Sequence, residues 1–268
     1  MTIQELIKSI NFSKKAGENA LRYCMPEKEF RNWKNLYERD FHTFLAEWEK
    51  SAEHFQGGLW FCLKLACETY EWYKEKTISE QIFRDTFADI TIWCGECYRK
   101  HGIYGLEEVP WIMKSIRMEL FRLGRLQFEP MVLTPEEATR YHLQVGEPVL
   151  NVHIPAGEKL GYRACKESFE AAKSFFGEKQ ATFICDSWLL SPELCEILPK
   201  TSNIIRFQKM YQIVEVHYDF SQAEERVFGE VRPDKSEYPE ENSLQLTLKQ
   251  YLLTGKKVGM GRGILLSS

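Results

Sequence analysis

Several short polar groupings in the carboxyl-terminal half carry residue types able to move protons or hold charge. His153 lies near the end of the apolar run Val149-Leu150-Asn151-Val152-His153-Ile154, with Asn151 two residues earlier and so on the same side of an extended chain. An imidazole accepts protons near neutral pH, which suits His153 to deprotonate an attacking amine; a packed histidine bonded to a neighbouring carbonyl leaves the same signature. Asp186-Ser187-Trp188 brings a carboxylate, a hydroxyl and an indole N–H to the end of a second apolar run, Ala181 to Leu189, where the same groups also suit a helix cap. Ser187, His153 and Asp186 have the residue types of a nucleophile, a base and an orienting acid. No G-x-S-x-G elbow surrounds the serine, which ranks hydrolysis below direct transfer.

Further along, Asn203 and Arg206 fall in the β-rich run Asn203-Ile204-Ile205-Arg206-Phe207-Gln208 and could bind a carboxylate or phosphate through amide and guanidinium contacts, although an arginine on a strand is more often solvated. The stretch Gly255-Lys256-Lys257-Val258-Gly259-Met260-Gly261-Arg262-Gly263 is basic and glycine-rich. Lys256, Lys257, Gly259 and Gly261 are candidates to cradle a phosphate, and a loose chain end has the same composition. Cys94 and Cys97, with Cys62 and Cys67 upstream, could supply four thiolates to zinc. They sit inside helical periodicity without the turn that presents such pairs, so no metal is expected.

The elements that must position these groups are legible from period. Val149 to Ile154, Ala164 to Phe176 and Ala181 to Leu189 read as strand, helix, strand, a βαβ unit whose polar residues would sit at the carboxyl ends of the strands, where α/β sheets bind ligands. Residues 1 to 120 read as helical. Phe30, Trp33, Leu36, Tyr37, Phe41, Phe44, Leu45 and Trp48 recur at steps of three or four, Leu59 to Lys74 forms a second segment, and a third begins at a Ser79 cap. Such aromatic stripes are core more often than ligand pocket. The period changes to two in Leu123-Gly124-Arg125-Leu126-Gln127-Phe128-Glu129, with Gly124, Leu126 and Phe128 on one side, which sets the domain boundary near residue 120. Beyond the βαβ unit, a short helix after Ser191-Pro192, strands at 203–208 and 211–217, a charged mobile surface segment at 220–238, a helix over 244–253 and a closing strand at 259–266 complete the reading.

Composition narrows the function classes. With 268 residues, 44% hydrophobic and 28% charged, the chain can bury two cores. A net charge of −4 with dispersed Lys and Arg argues against nucleic acid as partner. No apolar run suits a membrane span and the first residues lack a signal-peptide core, so a cytoplasmic location is expected, with all eight cysteines reduced.

Four blocks carry a resemblance: Phe121-Arg122-Leu123-Gly124-Arg125-Leu126-Gln127-Phe128-Glu129, Val149-Leu150-Asn151-Val152-His153-Ile154-Pro155, Cys185-Asp186-Ser187-Trp188-Leu189-Leu190 and Ser202-Asn203-Ile204-Ile205-Arg206-Phe207-Gln208. In type and order they resemble the bacterial acyltransferase-domain proteins that join a helical N-acyltransferase domain to a GNAT-like carboxyl-terminal domain. The resemblance spans roughly the last 150 residues, with a weaker echo from Gly105 to Trp111. It implies an α+β fold: an all-helical domain over 1–120, then a GNAT-like mixed sheet with flanking helices over 121–268. It also implies transfer of an acyl group from a thioester such as acyl-CoA, a co-substrate and no permanently bound cofactor, to the amine of a small molecule. His153, Asp186 and Ser187 are then the catalytic candidates and Asn151, Trp188, Asn203 and Arg206 the substrate-binding ones. The chain departs from GNAT enzymes in one feature: no [Q/R]-x-x-G-x-[G/A] turn follows Val152 or Leu189. A non-catalytic module binding a small ligand or a protein in the same crevice is therefore the alternative, and the oligomeric state is open.

Overall fold

A computed structural model describes residues 1–51, 55–177 and 181–266. The chain divides into two compact units, Met1–Leu123 and Gly124–Ser268. The first contains helices α1 (Ile3–Ser9), α2 (Lys14–Arg22), α3 (Glu27–Arg39), α4 (Phe41–Trp48), α5 (Gln56–Glu75), α6 (Glu80–His101) and α7 (Val109–Ile116), followed by the short strand β1 (Phe121–Leu123). Asp40 ends α3 and caps α4 through Thr43 N–H, which splits the aromatic stripe into two helices. Phe44, Trp48 and Phe61 stack with centroids 5.2–5.6 Å apart, and all three are buried, so these rings form core. Ser79 caps α6 as expected, its hydroxyl accepting from Ile82 N–H. Cys94 and Cys97 are buried on that helix.

The second unit contains β2 (Leu126–Val132), α8 (Pro135–Tyr141), β3 (Pro148–His153), α9 (Tyr162–Phe176), β4 (Thr182–Ser187), α10 (Leu194–Ile197), α11 (Asn203–Gln208), β5 (Tyr211–His217), α12 (Gln222–Phe228), α13 (Ser243–Leu253) and β6 (Met260–Leu265). The sheet order is β1-β2-β3-β4-β6-β5. β3 and β4 are parallel and joined by α9, as the βαβ reading requires, and the other registered pairs are antiparallel. One face packs Phe128 and Phe183 against Phe169 of α9 at 5.9 and 5.0 Å; the other packs Val149 and Ile184 under Ala138 and Tyr141 of α8.

Four expectations are corrected. Residues 203–208 are helix, not strand: the Ser202 hydroxyl caps Ile204 N–H, and burial of Ile205 and Gln208, three apart, follows a helical face that the β-branched pair Ile204-Ile205 disguised. The period-two stretch after Leu123 is not one strand, because Gly124 at φ +74° turns the chain between β1 and β2. The charged segment 220–238 is structured, with Ala223, Phe228 and Tyr238 buried and Phe228 stacked on Tyr238 at 3.9 Å. The second strand of the βαβ unit ends at Ser187 rather than Leu189, because Trp188–Leu190 form a 3-10 turn that the Ser187 hydroxyl caps at Leu189 N–H.

The glycines in and just before β6 have a packing role. A Cβ on Gly261 would run into the Leu190 backbone, and on Gly259 it would meet His217 O at 2.9 Å. Gly263, two residues further along the same face, would meet Leu190 Cδ1 at 3.0 Å. Gly261 and Gly263 thus admit the 3-10 turn Trp188–Leu190, which ends the run expected to be strand to Leu189. Gly261→Ala should destabilise the fold by about 1–3 kcal/mol, read as a fall in denaturation midpoint at constant slope. The eight thiols are free, and only Cys24 and Cys195 are exposed. Burial pushes Cys67 and Cys165 up to about 11 and Cys94 up to about 12. Alkylation of the native protein at pH 8 should therefore label Cys24 and Cys195 first, with the other thiols reacting fully only after unfolding.

Candidate functional site

Register decides which side chains share a face. Gln127 pairs with His153 and Glu129 with Asn151 across β2 and β3; Asn151 pairs with Ile184 across β3 and β4. Asp186 pairs with Arg262, Arg262 with Glu215, and Met260 with His217. Partners point the same way and alternate residues repeat it, so Glu129, Asn151, His153, Asp186, Arg262, Glu215 and His217 all lie on the α8 face. That face is apolar beneath α8, through Val149, Ile184 and Ile264, and polar towards the carboxyl ends of β3 and β4.

Two histidine–carboxylate pairs organise the polar end. His153 Nε2 lies 2.9 Å from Glu129 Oε2, both side chains largely buried. His217 Nε2 lies 3.0 and 3.2 Å from the two Asp186 oxygens, and its Nδ1 faces Asp219 Oδ2 at 3.2 Å outside hydrogen-bonding geometry. Arg262 Nε donates to Asp186 Oδ2 at 3.0 Å, and its Nη1 to Glu215. Although burial opposes its charge, the Glu215 hydrogen bond and the Asp186 charge raise the Arg262 pKa above its ordinary value. Burial first, and then the Asp186 charge, push the Tyr141 phenol upward as well.

Between the two pairs the sheet opens. The β3–β4 register runs from Val149/Thr182 to Asn151/Ile184 and ends there. Beyond it Val152 and His153 pair with β2, while Cys185, Asp186 and Ser187 pair with β6. The parallel strands therefore part where each presents one of the pairs, leaving backbone polar groups between Val152-His153 and Cys185-Asp186 turned towards a gap. The loop from Ile154 to Gly161 leads from this opening into α9, with Gly157 at φ +95° and Gly161 as an N-cap without a side-chain hydrogen bond. The first N–H groups of α9 are thus available to an anion. On the α9 side of the sheet, the Arg206 guanidinium lies 5.1 Å from the Tyr162 ring centroid at the start of that helix.

The sequence candidates separate accordingly. His153, Asn151 and Asp186 share the polar face at the opening. Ser187 points to the other face and is buried, its hydroxyl accepting from Leu189 N–H. The imidazole bound to Asp186 is His217, and the carboxylate bound to His153 is Glu129, so the serine triad is not assembled. Trp188 is buried in the 3-10 turn, its backbone N–H donating to Gln222 Oε1. Asn203 is exposed at the start of α11, and Arg206 lies on that helix, across the sheet from His153 and Asp186, so these do not form one crevice. Lys256 is exposed and paired with Glu196, Lys257 is exposed, and Gly259 and Gly261 are packed against backbone. Among the described residues no group of His, Cys, Asp and Glu could hold a metal ion.

Glu129, His217 and Arg262 escaped the sequence reading because each acquires meaning only from a partner on another strand. Gly157 and Gly161, four apart before α9, mark a tight turn into that helix that its sequence already signalled.

Comparison with known proteins agrees with this architecture. No curated protein matches the sequence. Solved structures of similar fold include an acyltransferase in complex with decanoyl-CoA and teicoplanin, with TM-score 0.80 and 22% identity over 97% of this chain and 86% of that one. Another is an acyltransferase in complex with CoA and 10C-teicoplanin, with TM-score 0.79 and 22% identity over the same shares. The N-acyltransferase N-terminal domain family matches residues 1–118 and the GNAT-like C-terminal domain family residues 120–265. The chain belongs to the family that joins an N-acyltransferase amino-terminal domain to a GNAT-like carboxyl-terminal domain.

Proposed function

We propose that the protein is an N-acyltransferase that moves an acyl group from an acyl-CoA directly to the amine of a small molecule, with both substrates bound. The observation that carries this reading is the parting of β3 and β4 between the Glu129–His153 and Asp186–His217 pairs. A gap between two parted strand edges offers main-chain hydrogen bonds to an extended pantetheine arm, as a strand edge does to a peptide. The acyl-CoA and CoA complexes of the fold relatives support a CoA thioester as donor, and their teicoplanin complexes support a small-molecule acceptor. The Gly157–Gly161 turn, the start of α9 and Arg206 would take the pyrophosphate end in place of the missing motif. Six buried thiols accord with a reducing, cytoplasmic setting.

In the reaction the amine nitrogen attacks the thioester carbonyl carbon. His153, oriented by Glu129, takes the proton the nitrogen sheds, and a backbone N–H at the parted strands bears the developing oxyanion. Collapse forms the amide and breaks the C–S bond, releasing CoA thiolate, which takes up a proton. Asp186, bonded through both oxygens to Arg262 and His217, is a fixed part of the acceptor side and not the base.

His153→Gln should lower kcat by about 10²–10⁴-fold with donor affinity little changed, and Glu129→Gln should do the same to a smaller degree. Full activity in His153→Gln would remove the base from this scheme. Acyl-CoA at about a hundredfold over its dissociation constant should raise stability by about 2.7 kcal/mol in thermal unfolding. A shift without turnover of any amine would favour the binding-module alternative, and no shift across CoA and short to long acyl-CoAs would exclude the donor class.

A further inference from the structure

The hairpin turn between β1 and β2 holds a buried cation against the loop that precedes α9. Arg125, only 6% exposed, donates from Nη2 to Glu158 O at 2.8 Å and from Nε to Lys159 O at 3.2 Å. Its own backbone N–H donates to Ser168 Oγ at 2.8 Å, and that hydroxyl donates to Ala164 O at 2.9 Å. Gly124 makes this approach possible, since a Cβ there would lie 2.9 Å from Ser168 Oγ. The guanidinium is therefore registered to α9 through its backbone and to the loop through its fork. Burying a charge to hold two main-chain carbonyls costs desolvation that a neutral hairpin residue would avoid.

Peptide geometry gives the consequence. In a trans peptide the C=O and N–H point in opposite directions within one plane. Because the Glu158 and Lys159 carbonyls both turn towards Arg125, the N–H groups of Lys159 and Leu160 turn away from it, on a stretch where Glu158 and Lys159 are exposed. The Lys159 carbonyl also accepts from Gly161 N–H at 2.9 Å, which draws the loop tightly into the start of the helix. Successive N–H groups presented on one side make an anion-binding concavity.

We infer that Arg125 is a positioning residue for the acyl donor: its fork on the Glu158 and Lys159 carbonyls sets the Lys159 and Leu160 N–H groups towards the donor's pyrophosphate. This rests on the acyl-CoA reading above. Arg125 acts through the Glu158 and Lys159 carbonyls, so the effect of replacing it should fall on donor binding and not on the chemical step. A lysine, with a compact ammonium in place of a planar fork, would hold the two carbonyls less well.

The experiment compares acyl-CoA with the matching acyl-pantetheine, which lacks the pyrophosphate, in the wild type, Arg125→Met and Arg125→Lys. For Arg125→Met, KM for acyl-CoA should rise roughly ten- to a hundredfold with kcat within about threefold, while kcat/KM for acyl-pantetheine is unchanged; Arg125→Lys should fall between. Equal losses on both donors, or a loss confined to kcat, would overturn the assignment in favour of a purely structural arginine. If Arg125→Met does not fold, the same ratio in Arg125→Lys decides. A wild type that fails to distinguish acyl-CoA from acyl-pantetheine would instead overturn the donor reading itself.

Discussion

Two parallel strands that stay registered only from Val149/Thr182 to Asn151/Ile184 impose the constraint on which the second unit depends. Main-chain N–H and C=O groups on the diverging segments need partners. β2 satisfies one strand on its outer edge and β6 the other, but the inner edges face each other across a gap too wide for a ladder. Such a gap in a sheet interior leaves main-chain groups to be satisfied by whatever enters it. Opening strands at that level also brings His153 and Asp186 to the rim without bringing them into contact with each other.

The rim is stiffened on both sides by charge pairs of different character. On the β4 side Asp186 is tied to Arg262 and His217, and Arg262 is tied in turn to Glu215. Removing one member of so buried a set would leave the others uncompensated, a loss on the order of 3–5 kcal/mol where burial is complete and less here because Asp186 and Glu215 reach solvent. The network therefore fixes β5 and β6 against β4. On the β3 side the Glu129–His153 pair crosses only one strand, leaving the imidazole close to the opening. One pair is suited to holding geometry, the other to handling a proton.

Behind the rim, the opposite face of the sheet is arranged around close backbone approach. Gly261 and Gly263, two apart on β6, vacate one face and let the Trp188–Leu190 turn lie over the strand, while Gly259 just before it lets the chain pass close to His217. That turn carries the chain away from the end of β4 while keeping Ser187 buried. Gly124 plays the same part on the other side, where the hairpin meets Ser168 of α9. Small residues thus set how closely turns approach the sheet and α9, and the loop that Arg125 holds is placed by one of those contacts.

Much of this was written locally. The helical periods of the first unit, the cap at Ser79, the helix near 244–253 and the βαβ unit follow from spacing and capping chemistry within a few residues, so the sequence alone determined them. His153, Asn151 and Asp186 could be nominated because each ends or nearly ends an apolar run. Where local signals conflicted, tertiary burial won: Ile204-Ile205 favoured strand, yet Ser202 and the buried face of α11 made helix. The identity of each partner was not local at all. Glu129 is 24 residues from His153, His217 is 31 from Asp186 and Arg262 is 76 from Asp186. Those contacts depend on strand order and register, and the insertion of β6 between β4 and β5 sets Arg262 between Asp186 and Glu215. The sequence determined which residues could do chemistry; only the tertiary structure decided which of them meet, because a side chain's partner across a sheet is set by pairing between strands far apart in the chain.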